Sequence, residues 1–239
     1  MIKSSNIKSK AREFSRYKCL SMHYYLGNNL VNKAMLTSKT PATAFEGKII
    51  PDKPFLITTP NLILRPLIYQ DIQTITAAVN EGLADLKMWL PWIANQPNQA
   101  ESEQIAKTFH QEAKEEKVCH LMVYNNQEFI GMVSLYNSEN ASQVVKLGYW
   151  FKVIADTSVS HVFMESLRAI LQFAFDEWGI LKLTIPCVAG NFFNEVAAKE
   201  LKFKLKRIDL VDGKSLKIYE LKSFELINTI EMTVIHNTL

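Results

Sequence analysis

The chain has 239 residues, of which 48% are hydrophobic and 21% are charged, and its formal net charge is +3. These values are ordinary for a globular protein and exclude a low-complexity or strongly acidic chain. A chain of this length can bury a sizeable core without disulfide or metal staples. It contains no uninterrupted apolar run of about 18 residues, so the sequence predicts no membrane span.

Positive charge is concentrated in the first part of the chain. Residues 1–50 contain nine Lys or Arg but only two acidic residues, Glu13 and Glu46, which gives about +7. They show no sustained hydrophobic periodicity, and Pro51 and Pro54 precede the first regular pattern. We therefore predict that residues 1–54 are a basic arm and linker of poor order. The sequence leaves open whether this arm is an organelle transit peptide or lies upstream of a later start.

The three cysteines, Cys19, Cys119 and Cys187, are far apart and have no C-x-x-C spacing. A zinc site needs clustered Cys or His ligands, so the sequence predicts no metal. A sparse, odd number of cysteines is typical of a reducing compartment. Together with the missing membrane span, this predicts a cytoplasmic protein.

From residue 55 onward the pattern becomes regular. Asn61 begins an alternating Leu-rich and Ile-rich segment that predicts a strand, and Asp71 is a favourable residue for starting the next helix. Asn125 and Asn126 form a turn signal between two strands. The predicted elements are strand 61–67, helix 69–79, a turn at 89–92, helix 100–116, and strands 118–124, 128–136 and 144–152.

The second half contains the clearest helix. Apolar residues recur at i, i+4, i+7 and i+8 through 161–178, and Gly179 closes the pattern. Residues 181–188 form a continuous apolar strand, which indicates an interior position in a sheet. A short helix at 194–201 precedes a hairpin of strands 203–210 and 215–221 around Asp212-Gly213. We predict an α+β domain at 55–222 with a mixed sheet, followed by a tail at 223–239.

Several segments resemble the GNAT superfamily of N-acetyltransferases, in its RimJ/RimL-like ribosomal-protein-alanine branch. They fall in the family's order and on the matching elements. The segments are LILRPL at 62–67, WLPW at 89–92, FIGMVSL at 129–135, LGYW at 147–150, NFFN at 191–194 and AKELKF at 198–203. The resemblance implies the GNAT fold, an α/β/α layered arrangement whose mixed, mostly antiparallel sheet splays open between the family's fourth and fifth strands.

The resemblance also implies acetyl-CoA as cosubstrate, bound in that splayed cleft. The family's pyrophosphate loop is glycine-rich because backbone N–H groups at a helix start must approach the phosphates closely. Here the matching segment, 156–162, contains no glycine. The cofactor-binding residues implied by position are Phe151, Lys152, Val153, Ser158, Val159, Ser160, His161, Val162 and Asn191.

The resemblance assigns two catalytic positions. Asn194 stands where the branch has a Ser that protonates the leaving thiolate, and an amide can donate a hydrogen bond but is no practical acid. Asp209 is the nearest match to the carboxylate that serves as general base. Trp89, Trp92 and Tyr149 are implied as walls of the acceptor cleft, although plain core packing is the alternative for the two tryptophans.

Two functions therefore compete at this point. The first is an N-acetyltransferase that moves acetyl from acetyl-CoA to a primary amine, either a protein N-terminal α-amine such as that of a ribosomal protein or a small amine. The second is a catalytically degenerate GNAT domain that acts as a binding module. The basic arm lacks any recognisable nucleic-acid reader motif, so nucleic-acid contact is not predicted. A homodimer is implied by analogy alone.

Overall fold

The computed structural model describes residues 55–81, 99–114, 118–137, 144–152, 158–211, 214–226 and 229–236. The basic arm predicted at 1–54 lies outside the described residues. So do the predicted acceptor-cleft residues Trp89 and Trp92 and the predicted cofactor-binding residue Val153.

The described residues form one nine-stranded sheet and four α-helices. The strands are β1 Phe55–Thr58, β2 Leu62–Pro66, β3 Val118–Asn125, β4 Glu128–Asn137, β5 Val144–Phe151, β6 Lys182–Val188, β7 Lys204–Val211, β8 Lys214–Lys222 and β9 Thr233–His236. The helices are α1 Ile72–Glu81, α2 Gln99–Lys114, α3 Ser158–Asp176 and α4 Phe192–Glu200. The strand order is β7-β8-β6-β5-β4-β3-β2-β1-β9, and only β5 and β6 pair in parallel.

Helices cover both faces of this sheet, which confirms the predicted α+β layered fold. Alternation along β5 sends Leu147, Tyr149 and Phe151 into the larger core under α3, whereas Trp150 joins the smaller core under α1 and α2. The apolar stripe of α3 accounts for much of the larger core, and Leu167 in that stripe is fully buried. Burial of such a side chain contributes roughly 1.5–3 kcal/mol.

Two strands were not predicted. β1 pairs with β2 on one side and with β9 on the other, so residues 233–236 of the predicted tail extend the sheet by one strand. The same tail contacts α3, where the Ile230 N–H donates to Gln172 at 3.0 Å. Sequence patterns missed both strands because each has only four residues and they depend on each other across the whole chain.

Two local boundaries also differ from prediction. The β3–β4 turn is centred on Asn126 and Gln127, with φ of 47° and 67°, not on Asn125-Asn126. Asn125 instead remains in the strand and pairs with Glu128. Helix α3 begins at Ser158, three residues before the predicted start. The residues expected to form a phosphate loop are therefore partly helical.

Candidate active site

The sheet opens between β5 and β6. These strands pair only at Val144–Lys182, Val145–Leu183 and Lys146–Thr184, although both continue beyond the last pair. Pro186 lies two residues after that pair and has no N–H to continue a ladder. The structure thus confirms the predicted splay, and Pro186 lies on the part of β6 that no longer pairs with β5.

Two helices begin at the open end. α3 follows β5 and α4 follows β6, so the N-termini of both helices lie beyond the carboxyl ends of the two parallel strands. Ligands in sheets of this kind bind outside the carboxyl ends of the strands. The positive end of a helix dipole and the first unbonded N–H groups favour an anion. The opening is therefore suited to a ligand that has an anionic part.

On its other side, β5 is held firmly by β4. Seven residue pairs run from Gly131–Phe151 to Asn137–Val145, and the Lys152 N–H donates to the Ile130 carbonyl at 2.8 Å. Gly131 lies directly against the end of β5. A Cβ at this position would collide with the Trp150 carbonyl oxygen and would lie 2.8 Å from Phe151 Cα. Only a glycine lets β4 support this end of β5 so closely.

Asn194 is the most unusual polar residue near the opening. It lies in the first turn of α4 with 0% exposure. Among the described residues, neither its side-chain oxygen nor its side-chain nitrogen has a hydrogen-bond partner. A buried amide without partners costs roughly 1–3 kcal/mol, which argues for a functional reason to retain it.

Asn191 has a defined structural role. It is the N-cap of α4, and its side-chain oxygen accepts from the Asn194 backbone N–H at 3.1 Å. The residue is 1% exposed. Asn191 was predicted to bind the cofactor, and the structure places it at the opening as the residue that fixes the start of α4.

The start of α3 is anchored to the β1–β2 turn. Ser158, Val159 and Ser160 form the first turn, and their side chains lie outside the described part of the chain. His161 points to solvent with 81% side-chain exposure, and its Nδ1 is 3.9 Å from Glu165. Val162 is buried in the core.

Glu165 is the anchor of that turn. Its carboxylate accepts from the Thr59 hydroxyl at 2.6 Å, the Asn61 backbone N–H at 3.0 Å and the Asn61 side-chain nitrogen at 2.9 Å. Although the carboxylate is buried, these three hydrogen bonds satisfy it. The segment before β2 is thereby tied to α3 beside the open end of the sheet.

The other predicted cleft residues are placed as follows. Phe151 and Tyr149 both pack edge-on against Phe163 of α3, with ring centroids 5.1 Å and 5.2 Å away. Lys152 forms ion pairs with Glu81 at 3.1 Å and Glu128 at 3.7 Å. Its ammonium group is therefore engaged by carboxylates of α1 and β4.

Asp209 lies at the same end of the sheet as Asn194 but on the opposite face. Asp209 is opposite Leu216 of β8, and Leu216 is opposite Val188 at the end of β6. Because directly opposed residues share a face of the sheet, Asp209 lies on the same face as Leu216. Leu216 belongs to a separate small cluster on that face, whereas α4 packs into the core under α3. The Asp209 carboxylate accepts from Arg207 Nε at 3.0 Å and remains partly exposed.

Cys187 lies on the part of β6 that borders the opening, but burial raises the pKa of its thiol to about 12, so it is protonated and inert as a nucleophile. One other feature does not coincide with the opening. A groove of about 690 Å³ lies between α1 and α2, lined by residues that include Tyr69, Gln73 and Lys107. None of the predicted site residues is among its described lining residues.

A Ser–His–Glu arrangement is present on the sheet face covered by α2. His120 Nδ1 is 2.8 Å from the Ser134 hydroxyl, and His120 Nε2 is 3.3 Å from Glu112. Ser134 is only 2% exposed and cannot reach a substrate. The cluster is therefore structural.

Sequence reasoning missed Gly131, Pro186 and Glu165. Gly131 lies inside a recognised motif, but only the packed structure shows which backbone it approaches. Pro186 was a usable signal, because proline inside an apolar strand marks a side without regular pairing. Glu165 gave no signal, because its partners are more than 100 residues away in sequence.

A mixed sheet that opens between two parallel strands, with a helix starting at each strand end, is the scaffold expected of an acetyltransferase. Comparison with protein-family models supports this assignment. The model described as "Acetyltransferase (GNAT) domain" matches residues 61–204, more than half of the chain. The chain belongs to the GNAT acetyltransferase family, a family of acetyl-transferring enzymes. Among curated protein sequences, none matches.

Solved structures with similar folds include three acetyltransferases. RimL, a ribosomal L7/L12 α-N-protein acetyltransferase in complex with coenzyme A, is 17% identical with a TM-score of 0.60, over 70% of this chain and 97% of RimL. Mycobacterium smegmatis RimJ with a CoA disulfide is 16% identical with a TM-score of 0.62, over 77% and 93%. The microcin C7 self-immunity acetyltransferase MccE, with acetyl-CoA and AMP, is 17% identical with a TM-score of 0.59, over 69% and 93%.

No described helix is long and apolar enough to cross a membrane.

Proposed function

We propose that this protein transfers acetyl from acetyl-CoA to a primary amine, and that the acceptor is a protein N-terminal α-amine. The observation that carries the proposal is the opening between β5 and β6, with the buried amide of Asn194 at its α4 end, which has no hydrogen-bond partner among the described residues. The reducing cytoplasm is the matching location, since two buried cysteines among the described residues are free.

The described residues fit acetyl-CoA. Its pantetheine arm is rich in amides, and Asn194 offers both a donor and an acceptor. Its phosphates are anionic, and α3 presents a helix N-terminus without an acidic residue in the first turn. When bound, acetyl-CoA supplies an activated acetyl thioester. Ser158, Val159, Ser160, His161 and Val162 remain proposed as the phosphate-side residues, and Phe151, Lys152 and Val153 as the strand-side residues.

Asp209 is proposed as the general base. An α-amine has a pKa of roughly 7.7–8.0, so on the order of a tenth is already neutral at pH 7, and a carboxylate can accept the remaining proton. Asp209 lies on β7, which β8 separates from β6, and on the face of the sheet away from Asn194, so a proton would reach it through bridging water. Asn194 can stabilise the leaving sulfur with a hydrogen bond but cannot protonate it.

The acceptor class rests on the similar structures. RimL is described as acting on the N-terminus of ribosomal protein L7/L12, and MccE as conferring immunity to a microcin. We favour a protein N-terminus, with a ribosomal protein as one candidate, because RimL, described as a ribosomal L7/L12 α-N-protein acetyltransferase, is among these structures. Trp89, Trp92 and Tyr149 remain proposed as acceptor-side residues.

Calorimetric titration with acetyl-CoA, followed by mass spectrometry of a peptide panel with free N-termini, tests the proposal. We expect saturable binding and a mass increase of one acetyl group on the α-amine. The absence of binding at millimolar acetyl-CoA would refute the proposed function.

Asp209→Asn tests the assignment of the base. We expect turnover to fall on the order of 100-fold with an unchanged Kd for acetyl-CoA. The matched control is Asp176→Asn, which removes the same charge at the far end of α3 from the opening and should leave turnover intact. An unchanged rate in Asp209→Asn would exclude Asp209 as the base.

A further inference from the structure

Four aromatic side chains form a cluster beside the opening, with Phe163 of α3 at its centre. The ring centroids of Tyr149 and Phe151 on β5 lie 5.2 Å and 5.1 Å from that of Phe163. The ring centroid of Phe193 on α4 lies 4.6 Å from it on another side. Aromatic pairs at such distances are stabilised beyond the burial of their area. The cluster therefore holds β5, α3 and α4 together.

The contact between Phe163 and Phe193 crosses the opening. α3 follows β5 in the chain and α4 follows β6, and these two strands pair no further than Lys146–Thr184. Aromatic rings therefore join the two sides of the sheet where backbone hydrogen bonds do not. Phe151, Phe163 and Phe193 form a row, which we call the aromatic bridge, on the face of the sheet that carries α3 and α4.

The aromatic bridge adjoins the position proposed for the thioester. Phe193 directly precedes Asn194, whose buried amide lies beside the leaving sulfur in the proposed function. The acyl group is bonded to that sulfur, so it must be accommodated close to Phe193. Because protein interiors are close-packed, a filled site has no spare volume for added methylene groups. The aromatic bridge therefore limits the length of the acyl chain.

Within the aromatic bridge, Phe193 is the ring best placed to set this limit. Phe151 and Phe163 are buried members of the large core, whereas Phe193 is partly buried and packs against that core from the first turn of α4. A smaller residue at Phe193 changes the space beside the opening while the core keeps its own members. Phe192, in the same turn, is 64% exposed and serves as a comparison.

We infer that Phe193 is a specificity-determining residue, which restricts this protein to short acyl groups by closing the α3–α4 face of the opening. The inference rests on the proposed function, because it names the class of acyl-CoA that the same site accepts. That class is acetyl-CoA, as against thioesters with longer aliphatic chains. The acceptor amine plays no part in this selection.

Calorimetric titration of the full chain with acetyl-CoA and with butyryl-CoA tests the inference, since it measures binding without any transfer. The wild type should bind butyryl-CoA at least about tenfold more weakly than acetyl-CoA, because the added carbons overpack the site. Phe193→Leu should reduce this discrimination and Phe193→Ala should abolish it. Removal of the ring leaves space in which each added CH₂ gains roughly fourfold in affinity.

Phe173→Leu is the matched control. Phe173 belongs to the same large core and stacks on Phe55 at 4.7 Å, but it lies near the C-terminal end of α3, away from the opening. Phe173→Leu should lose stability in urea unfolding yet keep the wild-type preference for acetyl-CoA. Phe192→Ala, on the exposed side of α4, should keep that preference as well.

The possible outcomes separate this inference from the proposed function. Equal affinity of the wild type for both thioesters, or unchanged discrimination in Phe193→Ala, would overturn the inference and leave acetyl transfer standing. If circular dichroism shows Phe193→Ala to be unfolded, Phe193→Leu decides the same question. Loss of discrimination in Phe173→Leu would also overturn the inference, because any weakening of the core would then suffice. If the wild type binds neither thioester, the proposed function fails and the inference fails with it.

Discussion

The two sides of β5 differ clearly in how far the strand is paired. Toward β4 the strand is paired along seven residues, whereas toward β6 the pairing ends after three. The same strand is therefore a rigid support on one side and the wall of an opening on the other. The site therefore depends on how firmly the pairing with β4 holds β5 in place.

Gly131 gives the largest expected effect, because it supports the end of β5 that borders the opening. Gly131→Ala places a Cβ 2.8 Å from Phe151 Cα. Overpacking of this kind costs roughly 1–3 kcal/mol, and displacement of the strand end should weaken acetyl-CoA binding about tenfold or more. Calorimetric titration measures the Kd.

Gly148→Ala is the matched control for Gly131→Ala. A Cβ at Gly148 meets only the ring of Tyr136, with Cε2 at 2.6 Å, and a side chain can move where a backbone cannot. We expect a comparable loss of stability but an acetyl-CoA Kd within about twofold of the wild type. If both variants weaken binding equally, the support attributed to Gly131 is wrong.

The two asparagines of α4 should separate stability from function. Asn191→Ala removes the helix cap and should lower the free energy of unfolding by about 1 kcal/mol. Asn194→Leu replaces a buried amide that has no partner in the described part of the chain with an apolar group of similar shape, so the free energy of unfolding should stay unchanged or rise. Acetyl-CoA binding should nevertheless weaken in Asn194→Leu.

Urea unfolding and calorimetric titration check both asparagine variants. A large loss of stability in Asn194→Leu would show that its amide has partners in the free protein. Unchanged acetyl-CoA binding in the same variant would remove Asn194 from the site.

The smallest expected effect is a pH dependence of stability that arises from His120, on the part of the sheet away from the opening. Burial lowers the pKa of His120, and the contact with Glu112 offsets this lowering only in part. Below a pH of about 6.5, His120 therefore binds a proton more readily in the unfolded chain than in the native state. The free energy of unfolding should fall as the pH drops through that value. The slope is at most about 1.4 kcal/mol per pH unit for one proton.

Urea unfolding at pH 7.5 and pH 5.5 measures this dependence. His120→Gln cannot take up the proton and should lose less stability on acidification than the wild type. An identical loss in both proteins would show that other groups cause the acid sensitivity.

The sequence predicted the helices and strands whose apolar residues follow a regular spacing. The apolar spacing of α3 and the alternation of β3, β4 and β5 follow directly from which face each residue buries. The four residues of β9 carry no such signal, because their position depends on pairing with β1 almost 180 residues earlier. The face on which Asp209 lies depends on the bulge between Leu205 and Arg207, which no alternation rule anticipates.

The opening itself came from the family resemblance and not from the pattern of residues. The apolar run through β6 indicates an interior strand but does not say which neighbour it leaves. Asn194 was singled out through its place in the NFFN segment, whereas its lack of partners appears only once α4 is packed on the sheet. Sequence therefore indicated where the site lies, and packing showed why that place is unusual.

Hydrogen exchange with and without saturating acetyl-CoA tests the central claim most directly, namely that the ligand occupies the opening between β5 and β6. Amides at the end of β5 and in the first turns of α3 and α4 should become protected, while the β3–β4 hairpin stays unchanged. Protection confined to the groove between α1 and α2, or no protection at all, would contradict the account.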